Sequence, residues 1–374
     1  MQATTQGRVF KNSMELDRRE IEDSLEKNLI ALRRKLEKYP ALEPYLDSLF
    51  QVVTSPGKRI RPLLFTGSYR AFSEDTGPLP DHIRQIAVAL EIFHAFLLIH
   101  DDVIDQSSSR RGEPTLHKRI ERFSDIRSRN AECSAIVLGD ILQGYVFELL
   151  VDEFIESSIQ RELIRYFARM IQLTGAGEAL EIHLWDRPIP EVPESWIKSV
   201  YELKTAIYTF ECPLVLGAMM AAADPSVIQT IQKASLSMGI AFQIENDLHE
   251  ISLDLESFKE VAYDLKCGVK TLYLKRLYTS VSPADQEFLT AVLNGQLCAL
   301  EHQEKLYHLL RSEKIRSVLK SEIDDLFQRA AQTFDSYVGS AKAHAALKDL
   351  LEFIVSNRKH SESALRSQTP TAEV

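Results

Sequence analysis

The stretch Ile86–Ile99 is apolar at nearly every position, with Glu91 and His94 as its only clearly polar members. An apolar surface on all sides has no stable place at a protein surface, so a helix of this kind belongs in the middle of a bundle. It runs directly into His100-Asp101-Asp102-Val103-Ile104-Asp105. Three carboxylates at the end of a buried helix imply that whatever they bind lies in an enclosed cavity.

The rest of the chain carries the same helical signal. Residues 83–105, 134–155, 159–183, 194–223, 226–250 and 299–311 repeat apolar side chains at three- and four-residue spacing, and strand signals are weak. Breaks fall where Gly, Pro, Ser and Asp cluster, as at Ser55-Pro56-Gly57, Ser107 to Pro114 and Arg187 to Pro193. No internal repeat and no long linker interrupts the chain. The expectation is one all-α domain over residues 1–374, with the polar segments 1–12 and 357–374 flexible.

Composition narrows the function. The net charge of −10 argues against a nucleic-acid binder, which more often carries a basic excess. An acidic chain that binds an acidic ligand needs local cations or metal ions. The cysteines, Cys133, Cys212, Cys267 and Cys298, form no C-x-x-C pair, which fits a reducing cytoplasm without structural zinc. The start of the chain is polar and unlike a signal peptide. No apolar run reaches the roughly 18 to 20 residues needed for a membrane span.

Asp101 and Asp105 are four apart and share a helix face with His94, Leu97 and Leu98. Bare carboxylates so placed repel one another. A hard divalent ion removes the repulsion, and Mg²⁺ favours a few carboxylates together with substrate phosphate oxygens. Arg110 and Arg111 follow at once, and guanidinium groups beside such a cluster suit a bound diphosphate. Upstream, Gly57-Lys58-Arg59-Ile60-Arg61-Pro62 places three cations at a helix start, where backbone N–H groups also favour an anion. A second apolar helix ends in Gln243-Ile244-Glu245-Asn246-Asp247-Leu248-His249-Glu250. Lys204-Thr205 lies within another apolar stretch, where a buried lysine requires an anionic partner.

In order, these pieces resemble the trans-isoprenyl diphosphate synthase, or polyprenyl synthetase, family. The matching segments are GKRIRP, EIFHAFLLIHDDVID, RRGEPT, Gly139-Asp140, GEALE at Gly177 to Glu181, KTA and FQIENDLHE. The resemblance implies an isoprenoid-synthase helical bundle around a central cavity, assembled as a homodimer, and a condensation of an allylic diphosphate with isopentenyl diphosphate. It implies three Mg²⁺ ions, with Asp101, Asp105, Asn246, Asp247 and Glu250 at the metals and Asp102 in support. By the same resemblance Arg110, Lys204 and Gln243 contact the allylic diphosphate; Thr205 is a further candidate for substrate binding, and Lys259 can still reach a phosphate. Lys58, Arg61, His94 and Arg111 match the positions that hold isopentenyl diphosphate. Ionisation of the allylic C–O bond, attack by the isopentenyl double bond and proton loss to the released diphosphate need no protein nucleophile, and none is evident. Phe96, five residues before Asp101, matches a cavity-floor position and implies a product of medium length, C15 to C20.

The second motif departs from the family. Asn246 stands where the first aspartate of D-D-x-x-D is usual, the following loop is altered around Lys259, and Val269 replaces a lysine, with Lys270 one place on. This opens an alternative, a class I terpene cyclase, whose metal motif begins Asn-Asp. Glu250 and Asp254 do not continue that motif, and a cyclase has no use for a second basic diphosphate site. Chain elongation is therefore the first reading.

Overall fold

Helix α4 (Asp81–Ile104) is as buried as its sequence demands. Ile83, Ile86, Ala87, Val88, Ala89, Leu90, Ile92, Phe93 and Ile99 are essentially inaccessible. Each buried Leu, Ile or Phe contributes roughly 1.5–3 kcal/mol, so this helix is a large part of the apolar core around it. The computed structural model describes residues 5–75, 77–110, 112–124, 126–251, 265, 268–299 and 301–366, with backbone alone for 5–13, 124, 250 and 356–366.

The chain divides into two compact units, 1–164 with 213–228 and 338–374, and 165–212 with 229–337. In the first, α4 packs against α1 (Thr5–Leu36), α2 (Glu43–Thr54), α3 (Ile60–Phe72), α5 (Leu116–Ser124) and α6 (Ser128–Leu149). The last helix among the described residues, α15 (Ala341–Arg366), lies on α3 and α1. The fully buried Asp17 accepts bonds from Arg70 Nε and ties α1 to α3. Tyr145 donates to Asn28 Oδ1 at 2.9 Å and ties α6 to α1.

Among the described residues the only sheet is a short antiparallel hairpin, β1 (Ser109–Arg110) with β2 (Glu113–Pro114). It lies inside the segment read from sequence as a plain break.

Helix α7 (Ser157–Trp185) contributes its later turns to the second unit, and α10 (Pro225–Glu250) does the same. That unit also holds α8 (Glu194–Val200), a π-helical stretch Tyr201–Glu211, α11 (Leu272–Ser280), α12 (Pro283–Leu293), α13 (Gln303–Leu309) and α14 (Glu313–Asp335). α11 packs on α8, α12 and α14. The regular helix expected over 194–223 is therefore broken into α8, the π stretch and α9 (Cys212–Met220). Pro213 supplies a reason: it has no N–H to donate, and its ring crowds the carbonyl four residues back, which a wider helical turn relieves. Helix α13 is likewise shorter than the 299–311 expected, because the preceding residues fold as turns. α15 (Ala341–Arg366) closes the described chain, so helical backbone reaches into both terminal segments expected to be flexible. Among the described residues no helix is long and apolar enough to cross a membrane.

Candidate diphosphate and metal site

The first acidic motif occupies the last turn of α4. Gln106 adopts a left-handed conformation (φ 54°). Ser107 N–H donates to Asp102 C=O at 2.9 Å, and Gln106 N–H to Val103 C=O at 3.2 Å. This pair of bonds caps the helix and fixes the turn that carries the acids. Negative side chains at a helix C-terminus oppose the helix dipole, and the last turn of α4 holds no basic residue. The motif is thus built at an electrostatic cost that a cation offsets.

Part of that cation is Arg110, on β1. It donates to Asp102 Oδ1 at 2.8 Å and to Asp101 Oδ2 at 2.9 Å. Asp102 is 3% exposed. Burial pushes its carboxyl up to about 6, against the opposing pull of Arg110. Asp101 and Asp105 are half-buried on the neighbouring face. Of the three acids Asp102 is the most buried, and it shares Arg110 with Asp101.

The basic cluster lies in the same unit. Lys58 is exposed, Arg61 is 9% exposed, and His94 is half-buried on α4. Arg59, to which sequence reading gave no separate role, is buried against Glu91 at 2.6 Å. Its left-handed backbone (φ 50°, ψ 39°) begins α3. Glu91, one of the two polar members of the apolar stretch Ile86–Ile99, was the signal available for this pair.

Phe96 is 7% exposed and packs on Phe93 and on His100, with ring centroids 5.6 and 4.6 Å apart. His100 Nε2 lies 3.1 Å from Ile136 C=O and 3.5 Å from Asp140 Oδ1. A side chain at Gly139 would lie 2.7 Å from the His100 ring. The Gly139-Asp140 pair is thereby explained: the glycine admits the imidazole and the aspartate faces it.

In the second unit, the π stretch carries Lys204 and Thr205. It lies so close to α10 that a Cβ on Gly239 would fall 2.3 Å from Ala206. Thr205 donates to Gln243 Oε1 at 2.8 Å, and Gln243 Nε2 donates to Asp247 Oδ1 at 2.8 Å. Tyr201 donates to Asp247 Oδ2 and accepts the Leu272 N–H at 2.9 Å. Asp247 is 5% exposed, and burial pushes its carboxyl up to about 7 despite those two donors. Lys204 is paired with Glu178 at 2.8 Å and with Glu181. Asn246 is half-buried beside Asp247 on the closing turn of α10. Tyr201, Glu178 and Glu181 thus join residues that sequence reading had paired differently or omitted. GEALE had placed the two glutamates without a function.

Lys270, one place beyond the missing lysine, is turned into the protein. It is 6% exposed, and its ammonium donates to the backbone carbonyl of Trp185 at 2.5 Å. Arg111 and Lys259 lie outside the described residues, as does the Glu250 side chain. Among the described residues no three His, Cys, Asp or Glu side chains converge as a ready-made metal cage.

Among the described residues the architecture is helical, with acidic residues closing α4 and α10. Solved structures share the fold. A geranylgeranyl pyrophosphate synthase from Corynebacterium glutamicum, complexed with isoprenyl diphosphate and magnesium, matches with a TM-score of 0.78 at 23% identity, covering 90% of this chain and 98% of that one. A decaprenyl diphosphate synthase from Rhodobacter capsulatus matches at 0.70 and 18% identity, over 94% and 98%.

Over residues 43–310 the chain matches the family model for polyprenyl synthetase, and it belongs to that family. Its curated relatives include a geranylgeranyl diphosphate synthase of Saccharolobus solfataricus, 26% identical over 84% of this chain and 90% of the relative. A farnesyl diphosphate synthase of Geobacillus stearothermophilus is 30% identical over 62% and 72%.

Proposed function

We propose that this enzyme is a trans-prenyltransferase that condenses an allylic diphosphate with isopentenyl diphosphate, in one catalytic domain, to a prenyl diphosphate of C15 to C20. Family membership supports the reaction class. The observation that carries the reading is the coexistence of a complete first acidic motif with a separate basic cluster at Lys58, Arg61 and His94, because a second diphosphate is needed only for elongation.

In this reading Asp101 and Asp105 hold Mg²⁺ on α4, with Asn246 and Glu250 completing a three-ion set on α10. Bound magnesium supplies Lewis-acid stabilisation of the leaving diphosphate. Asp102 and Asp247, the buried middle acids, orient their neighbours through Arg110 and through Tyr201 and Gln243. Arg110, Lys204, Thr205, Gln243 and Lys259 bind the allylic diphosphate; for Lys204 this requires exchange of its glutamate partners. Lys58, Arg61, His94 and Arg111 bind isopentenyl diphosphate. Phe96 limits the product. Released diphosphate is the proton acceptor.

A homodimer and a cytoplasmic location complete the proposal. Ile136 and Val137 on α6 are 38% and 58% exposed and supply an apolar surface for a second copy.

The test is incubation of the purified chain with farnesyl diphosphate and Mg²⁺, with and without isopentenyl diphosphate, followed by product analysis. The expected result is a longer prenyl diphosphate formed only when isopentenyl diphosphate is present. A hydrocarbon formed without it would replace elongation by cyclisation.

A further inference from the structure

Arg59 is a non-glycine residue in the left-handed region, at φ 50° and ψ 39°. That conformation is unfavourable for an L side chain and persists only when its surroundings impose it. Here three elements impose it. From α4, Glu91 accepts the guanidinium at 2.6 Å, and both side chains are nearly inaccessible. From the turn before α3, Ser55 C=O accepts at 3.1 Å. From α1, Glu22 lies 3.7 Å from Arg59 Nε, and Arg18 donates to Gly57 C=O at 2.7 Å. The turn 55–59 is thus held at both ends of the segment that presents Lys58.

The anchor is well placed. Glu91, His94, Leu98, Asp101 and Asp105 fall on one stripe of α4, at helical spacings of three and four. Glu91 is ten residues before Asp101, or about 15 Å along the axis. A buried arginine tied to Glu91 therefore sets the basic turn relative to the same helix face that carries His94 and the first acidic motif.

We infer that the buried Arg59–Glu91 pair is a positioning strut that holds the Lys58–Arg61 turn in register for the second diphosphate. This rests on the proposed elongation reading. Arg59 and Glu91 are positioning residues: they act through Lys58 and Arg61. An ion pair is suited to the task because it fixes direction as well as distance, whereas an apolar pair of equal volume supplies stability without direction.

The experiment compares the wild type with the apolar double variant Arg59→Met/Glu91→Leu, with Glu91→Gln, and with Lys58→Ala. KM is measured for isopentenyl diphosphate and, separately, for the allylic diphosphate, alongside Tm. In the double variant the expected outcome is a KM for isopentenyl diphosphate raised about tenfold, a difference of about 1.4 kcal/mol in binding. Its Tm should be near the wild type and its allylic KM unchanged. Glu91→Gln, which keeps an acceptor for Arg59, should show a smaller rise of the same kind; it also serves as the test if the double variant does not fold. A wild-type KM for isopentenyl diphosphate in a folded pair variant overturns the strut. An equal rise in both KM values does so too, since it marks a general loss of structure. If Lys58→Ala itself leaves the isopentenyl KM unchanged, the second-diphosphate site falls. If Lys58→Ala raises it and the pair variants do not, only the strut falls.

Discussion

Tyr201 and Asp247 form a buried hydrogen bond in which the phenol donates to the carboxylate while accepting the Leu272 N–H at 2.9 Å on its other side. One side chain of the π stretch thereby joins the end of α10 to the start of α11. With Gln243 on its other oxygen, Asp247 is committed to protein partners on both sides. The second acidic motif is therefore organised around an internal carboxylate, as the first is around Asp102.

Tyr201→Phe keeps the ring and removes both bonds. Leaving a buried carboxylate short of a donor and a buried N–H without an acceptor costs roughly 1–3 kcal/mol. The expected result is a lower denaturation midpoint with an unchanged denaturant slope. An unchanged midpoint would show that the Tyr201 bridge contributes nothing to stability.

In the proposed reading Asn246 would offer magnesium an amide oxygen where a carboxylate would bring charge. Asn246→Asp should lower the Mg²⁺ concentration needed for half-maximal elongation by severalfold, since ligand charge tunes affinity for hard cations. A Mg²⁺ titration of the rate provides the check. A curve identical to the wild type, or a loss of rate, would mean that Asn246 is not a metal ligand in elongation.

Phe96 is wedged between Phe93 and His100, so its orientation is set by packing. Phe96→Ala should lengthen the main product by at least one isoprene unit. It should also destabilise the protein by about 3–5 kcal/mol, the usual cost of emptying a buried phenylalanine site. Product analysis at a temperature where the variant stays folded decides the first point. An unchanged product would place the cavity floor elsewhere.

Lys270 has a depressed pKa of about 8, because burial disfavours its charge more than nearby Asp186 favours it. Above that value the folded state binds fewer protons at this site than the unfolded chain, which titrates near 10.5. Its contribution to stability is therefore least favourable below pH 8 and improves as pH rises from about 8 to 10.5. Lys270→Met should remove that rise. Parallel unfolding curves of the two proteins across the window test it, and an unaltered pH dependence would show that Lys270 stays charged when folded.

Much of this was legible in the chain itself. Ile86–Ile99 had to be buried because it has no polar face, and that requirement alone put Asp101 and Asp105 at the end of a core helix. The short motifs, read in order, led to the same family that the match over 43–310 establishes. Local spacing determines such features: helical periodicity, the neighbourhood of residues three and four apart, and the sign of charge at a helix end.

Other features depended on side chains far apart in sequence. Nothing local to Arg59 says that it is tied to Glu91 instead of to a ligand, or that Lys270 is spent on the Trp185 carbonyl. Asp102 and Asp247 read as two more acids in two acidic runs until burial separates them from their neighbours. The π-helical break at Tyr201–Glu211 follows from Pro213 together with the close approach of Gly239, and only the first of these lies next to it in the chain. The sequence determined which helices carry charge. Which charges turn inward, and which remain for a ligand, was decided by tertiary packing, because a buried charge persists only where the fold delivers its partner.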